Sequence, residues 1–248
     1  MGNEINTFFT SENSKQNINQ IDNINNLNGK LDDINDIYSI NEDELFSIKG
    51  FKQHYILTLA NMAGKNIILL GDSKIGKTNI FNILFEKEHL NVNNDNKNIN
   101  GQNYAYFEEK IFIIEDLEIN INIWDTPGEE THKEANKHFI KDCIICYLCF
   151  HFKNSKSFEN IKNYYIKLIK EINGENSFIV LVGIKNEIFD DDENNDNIPI
   201  NIIKKFAENY NILFYSVSLN DSNSVRYLFN DSIKKYILFQ SKISFQKK

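Results

Sequence analysis

Residues 69–78, Leu69-Leu70-Gly71-Asp72-Ser73-Lys74-Ile75-Gly76-Lys77-Thr78, spell a complete G-x-x-x-x-G-K-[ST] phosphate loop. An apolar, strand-like run at 66–70 precedes it and a helix-like run at 79–85 follows, the strand–loop–helix setting that gives the motif its mechanism. Its glycines let backbone N–H groups converge on an anion, and the helix N-terminus adds partial positive charge at the same place. Lys77 can reach β- and γ-phosphates, and Thr78 carries the hydroxyl that such a loop uses to hold Mg²⁺. Nucleotide binding is therefore the first expectation. A ligand-free Gly/Lys turn is the plain alternative.

A second signal lies at 119–130, where alternating isoleucines (Ile119, Ile121, Ile123) end in Trp124-Asp125-Thr126-Pro127-Gly128-Glu129-Glu130. Alternation marks a strand. Asp125 at its carboxyl end would present a carboxylate to a metal beside the phosphate loop, and the Gly128 N–H could approach a terminal phosphate. An Asp-x-x-Gly alone is a weak motif. After a phosphate loop, one helix and one further strand, it becomes specific.

With these residues in place the chain resembles the Ras superfamily of small GTPases, and the Rab branch in particular. Residues 125–130 are similar to D-T-[AP]-G-Q-E, and Ser73 stands where many Rabs carry Ser. Ser157-Phe158-Glu159-Asn160-Ile161 and the residues after it are similar to S-F-x-N-[VI]-x-x-W. Leu181-Val182-Gly183-Ile184-Lys185-Asn186-Glu187 lines up with L-V-G-N-K-x-D, and 215–221 with the E-T-S-A-K-x loop. The match runs in order over about 64–240. It implies a G domain of the P-loop NTPase α/β class: a mostly parallel six-stranded sheet, one antiparallel edge strand, and helices on both faces. It implies nucleotide contacts from Gly71, Asp72, Ser73, Lys74, Ile75, Gly76, Lys77, Thr78, Asn79, Asp125, Gly128, Lys185, Glu187, Ser218 and Leu219. Mg²⁺ would be held by Thr78 and Asp125, and Glu129, Lys77 and Gly128 would act in hydrolysis of GTP to GDP. Effector and regulator proteins in membrane traffic are the implied partners.

The departures from the family pattern bear on mechanism. Ile184 replaces the Asn that reads guanine and braces the phosphate loop, and a lost hydrogen bond of this kind costs about 1–3 kcal/mol. Glu187 keeps the base-pairing carboxylate on a longer stem. No Ser or Thr occurs between Thr78 and Thr126, so switch I lacks its usual hydroxyl; Asn98 is the nearest substitute, since a carboxamide oxygen can ligate a hard cation. Glu129 replaces the water-orienting Gln. Two like charges about 4 Å apart at an effective dielectric near 20 repel by about 4 kcal/mol, which predicts slow turnover. Two other readings stay open: a pseudo-GTPase scaffold with weakened nucleotide discrimination, and an ATP-dependent enzyme on the same loop.

Composition narrows the partners. The net charge of −8 opposes nucleic-acid binding, which needs a cationic surface, and unaided adsorption to anionic membranes. No run is long and apolar enough to span a bilayer, and no secretory signal opens the chain, so a cytoplasmic protein, peripheral on an internal membrane at most, is expected. The chain stops at Ser244-Phe245-Gln246-Lys247-Lys248 without cysteine, so no C-terminal prenylation is expected. Gly2 offers an N-myristoylation start, but Asn6 stands at the usual hydroxyl position.

Residues 1–40, rich in Asn, Ser, Asp and Gln, read as a disordered extension. Residues 41–63 read as one amphipathic helix or linker, with Leu45, Ile48, Tyr55, Ile56 and Leu59 at helical spacing, and 64–248 as the G domain. Within it 104–114 and 117–124 form a hairpin around Glu115-Asp116. Helices are expected at 134–141, 155–172, 199–210 and 224–239, and strands at 178–182 and 212–218. The acidic insert 190–197 reads as a solvated loop rather than a cation site. Cys143, Cys146 and Cys149 sit on an apolar strand; their C-x-x-C-x-x-C spacing invites a metal or iron–sulfur reading with His151. Residues three apart on a strand point to opposite faces, so diverging, buried free thiols are expected.

Overall fold

A computed structural model describes residues 42–47, 50–87, 105–128, 133–174, 177–185 and 198–246. The expectations for the extension, for switch I with Asn98, for Glu129, for Glu187 and for the acidic insert lie outside them.

The chain divides into two compact units, 1–58 with 238–248, and 59–237. In the smaller unit, α1 (Glu42–Ser47) and α2 (Phe51–Ala60) stand where one helix was expected. The physical reason is Gly50, at φ +89, a left-handed conformation that an α-helix cannot continue through. Phe46 packs edge-on to Tyr55, and Phe51 and His54 pack on Phe245.

The larger unit is the expected sheet. β1 (Lys65–Leu70), β2 (Tyr106–Ile114), β3 (Leu117–Asp125), β4 (Cys143–His151), β5 (Phe178–Lys185) and β6 (Leu213–Ser218) lie in the order β2-β3-β1-β4-β5-β6. Among the described strands only the β2–β3 pair is antiparallel. Its two-residue turn uses Glu115 (φ 50) and Asp116 (φ 62), the paired left-handed residues whose twist suits a tight hairpin.

Period-two alternation splits the core between two faces. Ile68 and Leu70 of β1 and Cys146, Leu148 and Phe150 of β4 share one cluster with Ile140, Phe158, Ile161, Tyr165, Ile169 and Phe206. These come from α4 (Lys133–Lys141), α5 (Ser155–Asn160) with its continuation, and α7 (Ile200–Tyr210). Tyr147 points to the other face, where it meets Phe229 of α8 (Ser222–Gln246) edge-on and shares a 2.7 Å hydrogen bond with Ser232. Helices therefore cover both faces.

Two local irregularities escape simple periodicity. α5 passes through a π-helical turn, Ile161–Tyr165, before resuming as α6 (Ile166–Asn173). In β4, Asn66 pairs with Cys143 but Ile67 pairs with Ile145, so Ile144 is a bulged extra residue. A bulge shifts side-chain parity by one. The cysteines consequently do not all diverge: Cys143 and Cys146 turn to the same face with sulfurs 3.0 Å apart, and Cys143 is half-buried. Cys149 is buried, with its sulfur directed to the Tyr147 carbonyl. His151 Nδ1 accepts the Lys153 N–H in the turn after β4, which gives that ring a structural use.

Candidate functional site

Burial fixes the loop between β1 and α3 (Lys77–Leu84). Gly71 (φ 142) passes so close to β4 that a Cβ there would lie 2.3 Å from the Cys149 carbonyl oxygen. Lys74 (φ 61) and Gly76 (φ 107) supply two further left-handed turns, and buried Ile75 anchors the loop in the core. Gly76 caps α3 without a side-chain hydrogen bond. The first amides of that helix therefore have no side-chain cap and are available to an anion.

Lys77 lies inside this winding, only 5 % exposed. Its Nζ donates to the carbonyls of Gly71 at 2.8 Å and Asp72 at 2.6 Å. Burial pulls its pKa below the usual lysine value, against the raising influence of Cys149, Asp125 and Asp72 beside it. A cation held in a dry loop with only neutral acceptors is incompletely compensated, and a phosphate would complete it.

Asp125, also 5 % exposed, comes from the end of β3 beside β1. Its Oδ2 accepts the Thr78 hydroxyl at 2.7 Å, while buried Oδ1 has no hydrogen-bond partner among the described residues. Burial raises its pKa, opposed by the Thr78 hydrogen bond and the Lys77 charge. A carboxylate and a hydroxyl oxygen in contact, with one carboxylate oxygen unused, form a donor set that suits a hard divalent cation such as Mg²⁺. Thr126 donates to the Leu69 carbonyl at 2.6 Å and fixes the strand end against the loop.

The raised pKa has a sign. The folded state binds more protons than the unfolded chain above the ordinary carboxylate value of 3.8, so this group's contribution falls as pH rises through that window and stays unfavourable above it. Asp125→Asn should therefore leave the metal-free protein at neutral pH as stable as the parent or more so. It should abolish any stabilisation that added Mg²⁺ gives in the presence of GDP, which would be about 2.7 kcal/mol at a hundredfold excess over Kd. Thermal unfolding of both proteins with GDP and either Mg²⁺ or chelator reads the difference.

Gly128 closes the loop from above. A Cβ on it would stand 2.3 Å from the Asp72 carbonyl carbon and the Ser73 nitrogen, so only glycine fits. The Asp72 carboxylate faces the other way, accepting from Asn160 Nδ2 at 2.7 Å and from the Tyr165 hydroxyl at 3.4 Å. These two residues flank and end the π-helical turn. Sequence reasoning assigned neither a role, although Asn160 belongs to a quoted motif, and that motif's Asn was the signal to follow.

At the carboxyl ends of β5 and β6, Ile184 is fully buried. Its Cγ2 and the Leu219 Cδ1 each lie 3.3 Å from where a Gly76 Cβ would be. Apolar packing against the loop thus stands where the resemblance implied a polar brace. The Leu219 N–H donates to the Lys185 carbonyl at 3.2 Å, which ties the two strand ends together, and the Ser218 N–H donates to Ser224 Oγ at 3.1 Å, which fixes the end of β6 to the start of α8. Ser73, Lys74, Thr78 and Asn79 are exposed at the mouth. The structure brings Gly71–Asn79, Asp125 and Gly128 together, with Ile184 and Leu219 against Gly76. Beside the hairpin Phe107 stacks on Trp124 at 4.5 Å, and Trp124 meets Phe139 at 4.9 Å, the last two partly buried against the core cluster.

The chain matches the Ras family model over residues 66–238. It is 28% identical to the Ras-related protein RABG1 of Arabidopsis thaliana over 71% of this chain and 85% of that one. It is 29% identical to a probable Rab-related GTPase of Acanthamoeba polyphaga mimivirus, over 73% of this chain and 80% of the relative. The Ras-related protein RabN1 of Dictyostelium discoideum is also 29% identical, over 69% and 81% of the two chains. With the phosphate loop, the Asp125 carboxylate and the six-stranded order all in place, the chain belongs to the Ras family as a divergent, Rab-like member.

Proposed function

We propose that the protein is a Rab-like small GTPase that binds GTP and GDP with Mg²⁺, hydrolyses GTP slowly, and serves as a regulatory switch in membrane traffic. The observation that carries this reading is the joint of Lys77, Thr78 and Asp125: a buried ammonium on two neutral carbonyls beside a buried carboxylate with one oxygen unused. A lapsed nucleotide site would have little reason to keep two buried charges that compensate each other only in part, because each costs stability. Thr78 and Asp125 would hold Mg²⁺, which when bound neutralises phosphate charge. Lys77 and the amides of Gly71–Asn79 would hold the phosphates, Gly128 would meet the terminal one, and Lys185, Glu187, Ser218 and Leu219 would border the base.

Slow turnover rests on Glu129, an anion where the family has a neutral amide. The aromatic row Phe107–Trp124–Phe139, exposed at Phe107 and partly buried at the other two, supports effector docking, since clustered aromatics are favoured anchors at protein interfaces. The Rab names of the relatives support a role at internal membranes, and among the described residues no helix is long and apolar enough to cross one.

A second reading, a scaffold that holds nucleotide with little discrimination, is favoured by the buried apolar Ile184 on Gly76. Calorimetric titration with GTP, GDP and ATP, with and without Mg²⁺, separates the two. We expect GTP and GDP to bind more tightly with Mg²⁺ and to exceed ATP, with single-turnover hydrolysis well below that of relatives carrying Gln. Equal GTP and ATP affinity would favour the loosened pocket, and absence of binding would leave a scaffold.

A further inference from the structure

The half-turn of sequence at the head of β4 carries chemistry that nucleotide binding does not use. We propose that Cys143 and Cys146 are a disulfide-forming pair, a site of reversible thiol oxidation built on the Ile144 bulge. The proposal is independent of the nucleotide reading.

In an unbroken strand the spacing of three would send the two thiols to opposite faces. The register shift between Asn66↔Cys143 and Ile67↔Ile145 cancels that divergence and leaves the sulfurs 3.0 Å apart. The Cys143 thiol also donates to the Ile140 carbonyl at 3.1 Å, which holds its side chain toward the cluster that contains Cys146. Closing to a bond of about 2.05 Å requires the sulfurs to approach by about 1 Å in total. The two thiols also differ in access: Cys143 is half-buried and open to a small oxidant, whereas Cys146 is buried behind it. That asymmetry matches an attacking thiol and a resolving thiol. Cys149 is excluded, because it is buried on the opposite face with its sulfur toward the Tyr147 carbonyl.

The oxidant is a hydroperoxide. The Cys143 sulfur, as thiolate, attacks one peroxide oxygen; the O–O bond breaks, a sulfenic acid forms, and the departing hydroxide takes the thiol proton as water. The Cys146 sulfur then attacks the Cys143 sulfur, the S–O bond breaks, and the second hydroxide leaves as water with the Cys146 proton. Two thiols lose two electrons, one peroxide gains them, and a dithiol reductant reverses the change by exchange.

The test uses the full-length folded chain, reduced, treated with stoichiometric hydrogen peroxide, quenched, then unfolded and alkylated with N-ethylmaleimide. We expect a loss of about 2 Da before alkylation, the mass of two hydrogens. Of the three cysteines, one should then take the label, against all three in the untreated chain, with full labelling restored by dithiothreitol. Cys149→Ser should keep the mass loss; Cys143→Ser and Cys146→Ser should each abolish it. Three labels after treatment, oxygen addition in place of hydrogen loss, or a bond that peptide mapping assigns to Cys149 or to a second chain would each overturn the proposal.

Discussion

Lys77→Ala is expected to weaken GTP and GDP binding by about two to four decades while changing the melting temperature of the nucleotide-free protein by only a few degrees. The first effect follows from removing the ammonium that would meet the phosphates: two charge-assisted hydrogen bonds at about 1.5–3 kcal/mol each amount to about 3–6 kcal/mol. The second follows from what the ammonium does without a ligand. It sits buried on two neutral carbonyls with its pKa pulled down by desolvation, so its removal relieves a buried charge as it removes two hydrogen bonds. Lys77→Met, which keeps the stem, separates charge from packing. Titration calorimetry beside thermal unfolding reads both quantities, and near-parental affinity in the two variants would refute the phosphate role.

Gly128→Ala is expected to cost about 1–3 kcal/mol of stability, the usual range for forcing a methyl into a filled space. GTP affinity should fall with it. The Cβ would meet the carbonyl carbon of Asp72 and the nitrogen of Ser73, both backbone atoms, at 2.3 Å. Neither can rotate away, so the phosphate loop or the end of β3 must shift, and either shift spoils the converged amides. The double variant with Asp72→Ala, which frees the loop from Asn160 and Tyr165, should recover part of the lost stability by letting the loop yield. Parental stability and affinity in Gly128→Ala would mean that this close approach does not hold in solution.

The parts of this molecule that were legible in the sequence are those encoded by local period and spacing. Alternating isoleucines gave β3 and placed Asp125 at its end. The glycine and lysine spacing gave the loop, and Glu115-Asp116 gave the hairpin turn. What was not legible depends on atoms far apart in the chain or on a single-residue change of phase. Asp72 meets Asn160 and Tyr165, some ninety residues on, and no local pattern announces such a meeting. The Ile144 bulge leaves hydrophobicity untouched but reverses which side Cys143 faces, so the period-two argument failed at that one point. Ile184 was readable as the loss of a polar contact, yet its replacement by packing on Gly76 required the fold. The break at Gly50 could have been read from the glycine itself, had it outweighed the helical spacing around it.

The π-helical turn between α5 and α6 sets the angular phase of everything on either side of it. Each residue of an α-helix advances by about 100°, so removing one residue from Ile161–Tyr165 would straighten the rod and twist Asn160 away from the face that Tyr165 holds. Both grips on the Asp72 carboxylate could not survive together. The loop between β1 and α3 is thereby indexed to the winding of a helix some ninety residues on, and a one-residue deletion there should loosen the Asp72 carboxylate.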